Sequence, residues 1–129
     1  MLKLLVIDDE KDFSRIISKE YVPMGCEVYI AETGEEGLKK FAEVRPDIVI
    51  VDNKLPDIAG VDVVKKIRAD GNDVLLFMVT VDREEHVLEA IRPYQVDKYM
   101  KKPFKLLELK DSLIGLMGEA IKRKKELGA

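Results

Sequence analysis

The sequence predicts an α/β domain built on a parallel sheet with helices packed on both faces. Three observations predict it. Short apolar runs alternate with segments of helical period five times along the 129 residues. Two of those runs, Ile48–Val51 and Val74–Val79, contain no polar residue, as expected of strands covered on both faces. Proline and glycine fall between the segments, at Pro23, Gly25, Pro46, Gly60, Gly71, Pro93 and Pro103.

Taken in order, residues 2–7 form an apolar strand interrupted by Lys3 and ended by Asp8-Asp9-Glu10. A helix follows with Phe13, Ile16, Ile17 and Tyr21 on one face, stopped by Pro23 and Gly25. Residues 26–30 read as the second strand. Thr33 offers an N-cap, and Glu36 three residues on completes a capping box. Leu38, Phe41, Ala42 and Val44 form the expected buried stripe of the second helix, and Pro46 stops it. The third strand, within residues 47–51, ends at Asp52. Val61, Val64 and Ile67 mark the third helix, which closes near Asp70-Gly71-Asn72. The fourth strand ends at Thr80. Asp82 is expected to cap a fourth helix bearing Val87, Leu88 and Ile91, stopped by Pro93. Residues 97–101 form a shorter fifth strand around Tyr99 and Met100, broken by Lys102-Pro103. A last helix runs from about Lys105 to Lys125, with Leu106, Leu109, Leu113, Met117 and Ile121 expected inward. Alternation implies right-handed crossovers. It does not give the strand order.

Composition narrows the function. The length is that of one domain, large enough to bury a core without a disulfide or structural metal. Cys26 is the only cysteine, which makes a reducing cytoplasm the default. A net charge of −3 argues against bulk nucleic-acid binding by this domain. No apolar run approaches the length of a membrane span, and the acidic residues after Ile7 exclude a signal peptide.

The chemistry-bearing residues collect at the C-terminal ends of the strands. Strand one ends in Asp8, Asp9 and Glu10, strand three in Asp52, strand four in Thr80, and strand five in Lys102. In a parallel sheet these ends share one edge, where ligands bind in open α/β folds. Each residue has a plain alternative: a turn aspartate, acids favouring a helix N-terminus, a capping threonine, a solvated lysine. Their joint placement at four of five strand ends favours a site. Clustered carboxylates suit Mg²⁺, and a lysine and a hydroxyl beside them suit phosphoryl oxygens, so the set fits phosphoryl transfer onto a carboxylate.

These residues carry a resemblance. Asp8-Asp9, Asp52 within Val-Asp-Asn-Lys-Leu-Pro-Asp-Ile-Ala-Gly, Thr80 after Leu-Leu-Phe-Met-Val, and Lys102 within Tyr-Met-Lys-Lys-Pro-Phe resemble the receiver domain of two-component response regulators. The likeness spans residues 2 to about 122, which sets a receiver domain at 1–122 and a basic helix end or linker at 123–129. It implies a flavodoxin-like doubly wound sheet of order 2-1-3-4-5 with five helices. It implies that Asp52 accepts a phosphoryl group from a histidine kinase or phosphotransfer protein, with Mg²⁺ held by Asp8, Asp9, Asp52 and the Lys54 backbone carbonyl. Thr80 and Lys102 would contact the phosphoryl oxygens, and the Lys102–Pro103 bond would be cis. Thr80 and Tyr99 would act as the switch, and the output surface would be helix four, strand five and helix five. The chain would then be a cytoplasmic signalling switch rather than an enzyme. It would catalyse only its own phosphorylation and dephosphorylation, with the downstream effector and any homodimer on phosphorylation left open.

Three departures from the family pattern stand out. Val81 replaces the usual small residue after Thr80 and could narrow access to Asp52. Tyr94-Gln95-Val96-Asp97 lacks the usual Gly-Ala before strand five. Lys54 and Asp82 carry opposite charges two residues past Asp52 and Thr80, where a pair could obstruct an in-line water and lengthen the life of the phosphorylated form. The only histidine, His86, reads as an exposed helix residue rather than a phosphotransfer histidine. Two other classes share parts of this residue set. A Mg²⁺-dependent small-molecule phosphatase working through an aspartyl phosphate usually places its second acid two residues after the nucleophile, on strand one. Here Asp8 and Asp9 are adjacent. A receiver-like interaction module that is never phosphorylated is disfavoured by the complete set of site residues, although Val81 keeps it open.

Overall fold

A computed structural model describes residues 1–82 and 84–128, with Glu84 described by its backbone alone. The elements follow the alternation: β1 Lys3–Ile7, α1 Lys11–Tyr21, β2 Glu27–Ala31, α2 Gly34–Val44, β3 Ile48–Val51, α3 Gly60–Ala69, β4 Leu75–Thr80, α4 Glu84–Ile91, β5 Lys98–Lys101 and α5 Leu106–Glu126. A 3₁₀ turn, Arg92–Tyr94, follows α4. The sheet runs β2-β1-β3-β4-β5, with every neighbouring pair parallel. This is the doubly wound order expected from the resemblance.

Strand residues alternate between the two faces, so the strands divide two cores between them. Leu4, Val6, Ile48, Ile50, Phe77 and Val79 pack under α1 and α5 against Phe13, Ile17, Leu109 and Leu113. Leu5, Ile7, Val49, Val51, Leu76 and Met78 face the other way, against Val63, Val64, Ile67, Val87 and Ile91 of α3 and α4. β3 and β4 are buried along their whole length, which explains their unbroken apolar runs.

Two helical stripes differ from expectation. On α2 the buried residues are Gly34 and Gly37; Ala42 is exposed, and Leu38, Phe41 and Val44 are half-buried. A Cβ on Gly37 would run into Ile7 of β1, and one on Gly34 into Ile58 of the loop after β3, so the helix sits close to both because these residues lack one. On α5 the buried stripe is Leu109, Leu113, Leu116 and Ala120, whereas Leu106 and Ile121 are exposed. Successive steps of four residues drift around a helix of 3.6 residues per turn, and a step of three restores the face. Leu88 on α4 is likewise exposed, leaving Val87 and Ile91 as its core contacts. The expected capping of α4 by Asp82 involves Arg83 and lies outside the described residues.

The departure before β5 has a definite geometry. Gln95 takes the left-handed region at φ 53°. The guanidinium of Arg68 on α3 holds that turn, donating to the carbonyls of Tyr94 at 2.9 Å and Gln95 at 3.0 Å. Arg68 also lies 3.5 Å from Asp97, whose carboxylate accepts from the N–H of Leu76 on β4. At the far end of the sheet, Arg123 donates to the carbonyl of Asp73, and Lys124 reaches the carbonyl of Met1 and the carboxylate of Asp47.

Glycine positions give a paired test of this packing. A Cβ on Gly60 would strike the backbone of Asp52 and Asn53, whereas one on Gly118 meets open space. Gly60→Ala should destabilise by about 1–3 kcal/mol through overpacking. Gly118→Ala in the interior of α5 should stabilise by up to about 1 kcal/mol. Urea unfolding measures both, and effects of the same sign would contradict the packing described.

Candidate functional site at the strand ends

Parallel hydrogen bonding continues one residue past the strands and carries the acids to the sheet edge. Asp8 N–H donates to the Ala31 carbonyl at 3.0 Å, and Asp52 N–H to the Ile7 carbonyl at 2.9 Å. On the other side, Lys102 N–H donates to the Thr80 carbonyl at 2.9 Å. The backbone thus fixes four of the expected residues beside one another. Asp8, Asp52, Thr80 and Lys102 are 2%, 4%, 0% and 7% exposed, respectively, so the cluster is largely closed to water. Asp9 is exposed at its rim. The Lys102–Pro103 bond is cis.

Lys102 is the hub. Its Nζ donates to Asp8 Oδ2 at 2.8 Å, Asp52 Oδ2 at 3.2 Å and Glu10 Oε2 at 3.2 Å. It also lies 4.9 Å from the ring centroid of Phe13, a cation–π contact. That ring is held edge-on by Phe104 at 5.8 Å. Burial works to discharge the ammonium, but its bonds and proximity to Asp8 and Asp52 outweigh burial and raise its pKa. For Asp8, burial dominates and moves the carboxyl up, although Lys102 and the Glu10 N–H pull the other way. One ammonium faces two buried carboxylates, Asp8 and Asp52.

The remaining oxygens are organised as a cation site would require. Asp8 Oδ1 accepts from Glu10 N–H at 2.9 Å, and Asp52 Oδ1 from Lys54 N–H at 3.0 Å. Carboxylate oxygens of Asp8, Asp9 and Asp52 lie within 4.8 Å of one another. Hard oxygen donors at that spacing fit Mg²⁺.

Around the mouth, Lys54 Nζ lies 3.4 Å from Asp82 Oδ1. Val81 points out, 46% exposed. Thr80 Oγ1 accepts from Asp82 N–H at 3.3 Å. Tyr99 is half-buried against the core under α3 and α4. His86 is exposed.

Four contributors were not singled out from sequence. Glu10 was read only as part of the acidic run. Phe13 was read as core, and nothing in its spacing marks it as the floor under an ammonium. Asn53 joins the loops after β3 and β4. Asp57 caps a helix remote in sequence: its two carboxylate oxygens accept from Gly34 N–H at 2.8 Å and Glu35 N–H at 2.9 Å at the start of α2. Thr33 takes the Glu36 N–H at 3.0 Å, the half of the expected capping box that involves its hydroxyl. Together these bonds tie the loop that follows Asp52 to α2. The cap partners of Asp57 lie more than twenty residues away, so local spacing carries no signal of them.

Comparison with known proteins bears on this geometry. The family model of the response regulator receiver domain matches residues 4–114. The chain belongs to that family. It is 32% identical over 127 residues to the alkaline phosphatase synthesis transcriptional regulatory protein PhoP of Bacillus subtilis, covering 98% of this chain and 51% of that protein. It is 36% identical over 111 residues to the transcriptional regulatory protein PrrA of Mycobacterium leprae, covering 83% and 46%. Against the regulatory protein AtoC of Escherichia coli it is 32% identical over 108 residues, covering 83% and 23%. The receiver therefore spans from about a quarter to about half the length of these relatives. Among solved structures it is similar to the response regulator protein TrrA from Thermotoga maritima in complex with Mg²⁺–BeF, at 33% identity and a TM-score of 0.78, covering 90% and 99% of the two chains. A receiver domain protein from Methanospirillum hungatei shares the fold at a TM-score of 0.87 and 24% identity, covering 95% and 98%. Among the described residues, no helix of this receiver is long and apolar enough to cross a membrane.

The Asp57 cap has a pH signature. The N–H groups of Glu35 and Gly34 hold its carboxyl below the usual carboxylate range. A lowered native pKa stabilises the fold above the unfolded value, and that contribution disappears as pH falls through the native one. Asp57→Ala should therefore lower the urea midpoint at pH 7, and its difference from wild type should shrink toward about pH 3. An equal difference at both pH values would contradict the cap.

Proposed function

We propose that this receiver is a phosphorylation-dependent switch whose phosphoacceptor is Asp52. The observation that carries the reading is the meeting of Asp8, Asp9 and Asp52 oxygens within 4.8 Å, with the Lys102 ammonium 3.2 Å from Asp52. An Asp52 oxygen would form a bond to phosphorus as the phosphorus–nitrogen bond of a histidine kinase or phosphotransfer protein breaks. Asp8, Asp9, Asp52 and the Lys54 carbonyl would hold Mg²⁺, which when bound offsets negative charge on the incoming group. Lys102 and the Thr80 hydroxyl would take phosphoryl oxygens, Lys102 exchanging part of its contact with Asp8 and Asp52 for them. The fit to Mg²⁺ rests on the donor set. The Mg²⁺–BeF complex of the Thermotoga relative supports it by likeness.

The new charge at Asp52 would then bias a two-state element. Thr80 would leave the Asp82 N–H for a phosphoryl oxygen, and Tyr99, adjacent to Met78 across the β4–β5 pairing, would follow it inward. The face formed by α4, β5 and α5 would change its affinity for a downstream effector or for a second copy of the chain. The Lys54–Asp82 pair would stand where a hydrolytic water approaches and slow loss of the phosphoryl group. Val81, exposed beside it, would slow the approach of small donors without barring it. The reading places the switch in the cytoplasm, with the receiver over residues 1–122 and a basic helix end over 123–129, where Arg123 and Lys124 bind the lower edge of the sheet.

Intact mass after incubation with Mg²⁺ and acetyl phosphate tests this. Wild type should gain one phosphoryl group only with the metal present, and Asp52→Ala should gain none. Lys54→Ala should gain it and lose it faster. A gain that survives Asp52→Ala would overturn the assignment of the acceptor.

A further inference from the structure

Asn53, between the proposed phosphoacceptor and Lys54, makes three bonds that no neighbour duplicates among the described residues. Its backbone carbonyl accepts from Gly60 N–H at 2.9 Å. Its side-chain Oδ1 accepts from Val61 N–H at 2.9 Å, in the first turn of α3. Its Nδ2 donates to Asp82 Oδ2 at 2.6 Å, across the mouth of the site. A carboxamide supplies both the acceptor that Val61 needs and the donor that Asp82 needs. The opposite orientation of the amide would set oxygen against carboxylate.

The other oxygen of Asp82 is the one paired with Lys54, between side chains 62% and 22% exposed. An ion pair that open to solvent has little hold of its own, because two mobile side chains must be ordered to keep it. The short charge-assisted bond from Asn53 fixes one of the two partners in advance. We propose that Asn53 is a positioning residue for the phosphoryl chemistry: it locks Asp82 against Lys54 over Asp52 and thereby sets the lifetime of the phosphorylated form. This rests on the reading of Asp52 as phosphoacceptor. In the step it restrains, water attacks phosphorus opposite the Asp52 oxygen and the phosphorus–oxygen bond to Asp52 breaks. The carboxylate is restored, and the second proton of the water ends on a phosphate oxygen.

Asn53→Asp separates the two roles of the side chain. The aspartate keeps the acceptor for Val61 N–H but faces Asp82 with a second carboxylate. Combining it with Asp82→Asn restores the cross-site bond with donor and acceptor exchanged and the net charge unchanged, and leaves Lys54 an amide oxygen in place of its carboxylate partner. Each protein is phosphorylated with acetyl phosphate and Mg²⁺, freed of donor, and followed by intact mass, with thermal unfolding alongside. Loss of a charge-assisted bond should speed decay of Asn53→Asp about tenfold. The double variant should decay more slowly than Asn53→Asp but faster than wild type, because the cross-site bond returns and the Lys54 ion pair does not. Decay of Asn53→Asp at the wild-type rate, while Asp82→Ala decays faster than wild type, would overturn the role of Asn53 alone. So would a double variant that folds but decays as fast as the single one. A wild-type protein that gains no phosphoryl group, or decay indifferent to both Lys54→Ala and Asp82→Ala, would overturn the underlying reading and this proposal with it.

Discussion

One buried ammonium holds the functional end of this receiver together. Lys102 bonds to Asp8 and Asp52 at the same time, and both carboxylates are almost wholly out of water. Two such carboxylates side by side repel each other and lose hydration, and neither cost is recovered without a cation. Lys102 supplies one positive charge on a stem whose end rests over the Phe13 ring. One ammonium against two buried carboxylates leaves that balance incomplete. Such a deficit fits the proposed divalent cation, which Asp8, Asp9 and Asp52 would hold, and the proposed phosphoryl group, whose oxygens Lys102 would contact.

The fold exists around that cluster in a specific sense. Parallel pairing of β1 with β3 puts Ile7 beside Val51, so the residues that follow, Asp8 and Asp52, leave the sheet together. Pairing of β4 with β5 puts Thr80 beside Lys101, and Lys102 follows. A shift of one residue in either register would turn these side chains to the opposite face and dissolve the site. The loops beyond the strands are then pinned from outside: Asp57 to the start of α2, Asn53 to the turn after β4, and Arg68 to the turn before β5.

Sequence carried the first of these layers well and the second poorly. Element order, the placement of Asp8, Asp52, Thr80 and Lys102 at one edge, and the two-sided burial of β3 and β4 follow from period and punctuation, which are local. The strand order was reached only through the resemblance to receiver domains. What escaped was long-range or depended on the absence of atoms. The face of α2 is made by glycines, which no hydrophobic period reveals. The stripe of α5 needed one step of three among steps of four. Asn53 and Asp57 act on partners more than twenty residues away, and a side-chain amide or carboxylate in a loop looks the same whether it meets water or a helix end. Gln95 occupies a left-handed turn that glycine would fill without strain, held there by Arg68.

The Asp8–Asp52 cluster should depend on a cation, and Lys102 is the resident one. Urea unfolding of Lys102→Met, with and without Mg²⁺, tests it most directly. Removing the ammonium from two buried carboxylates should cost about 3–5 kcal/mol without the metal. Mg²⁺ should recover a larger share of stability in the variant than it adds to wild type, because it would bind only the folded site. A variant as stable as wild type without metal, or one that Mg²⁺ stabilises no more than wild type, would contradict the account.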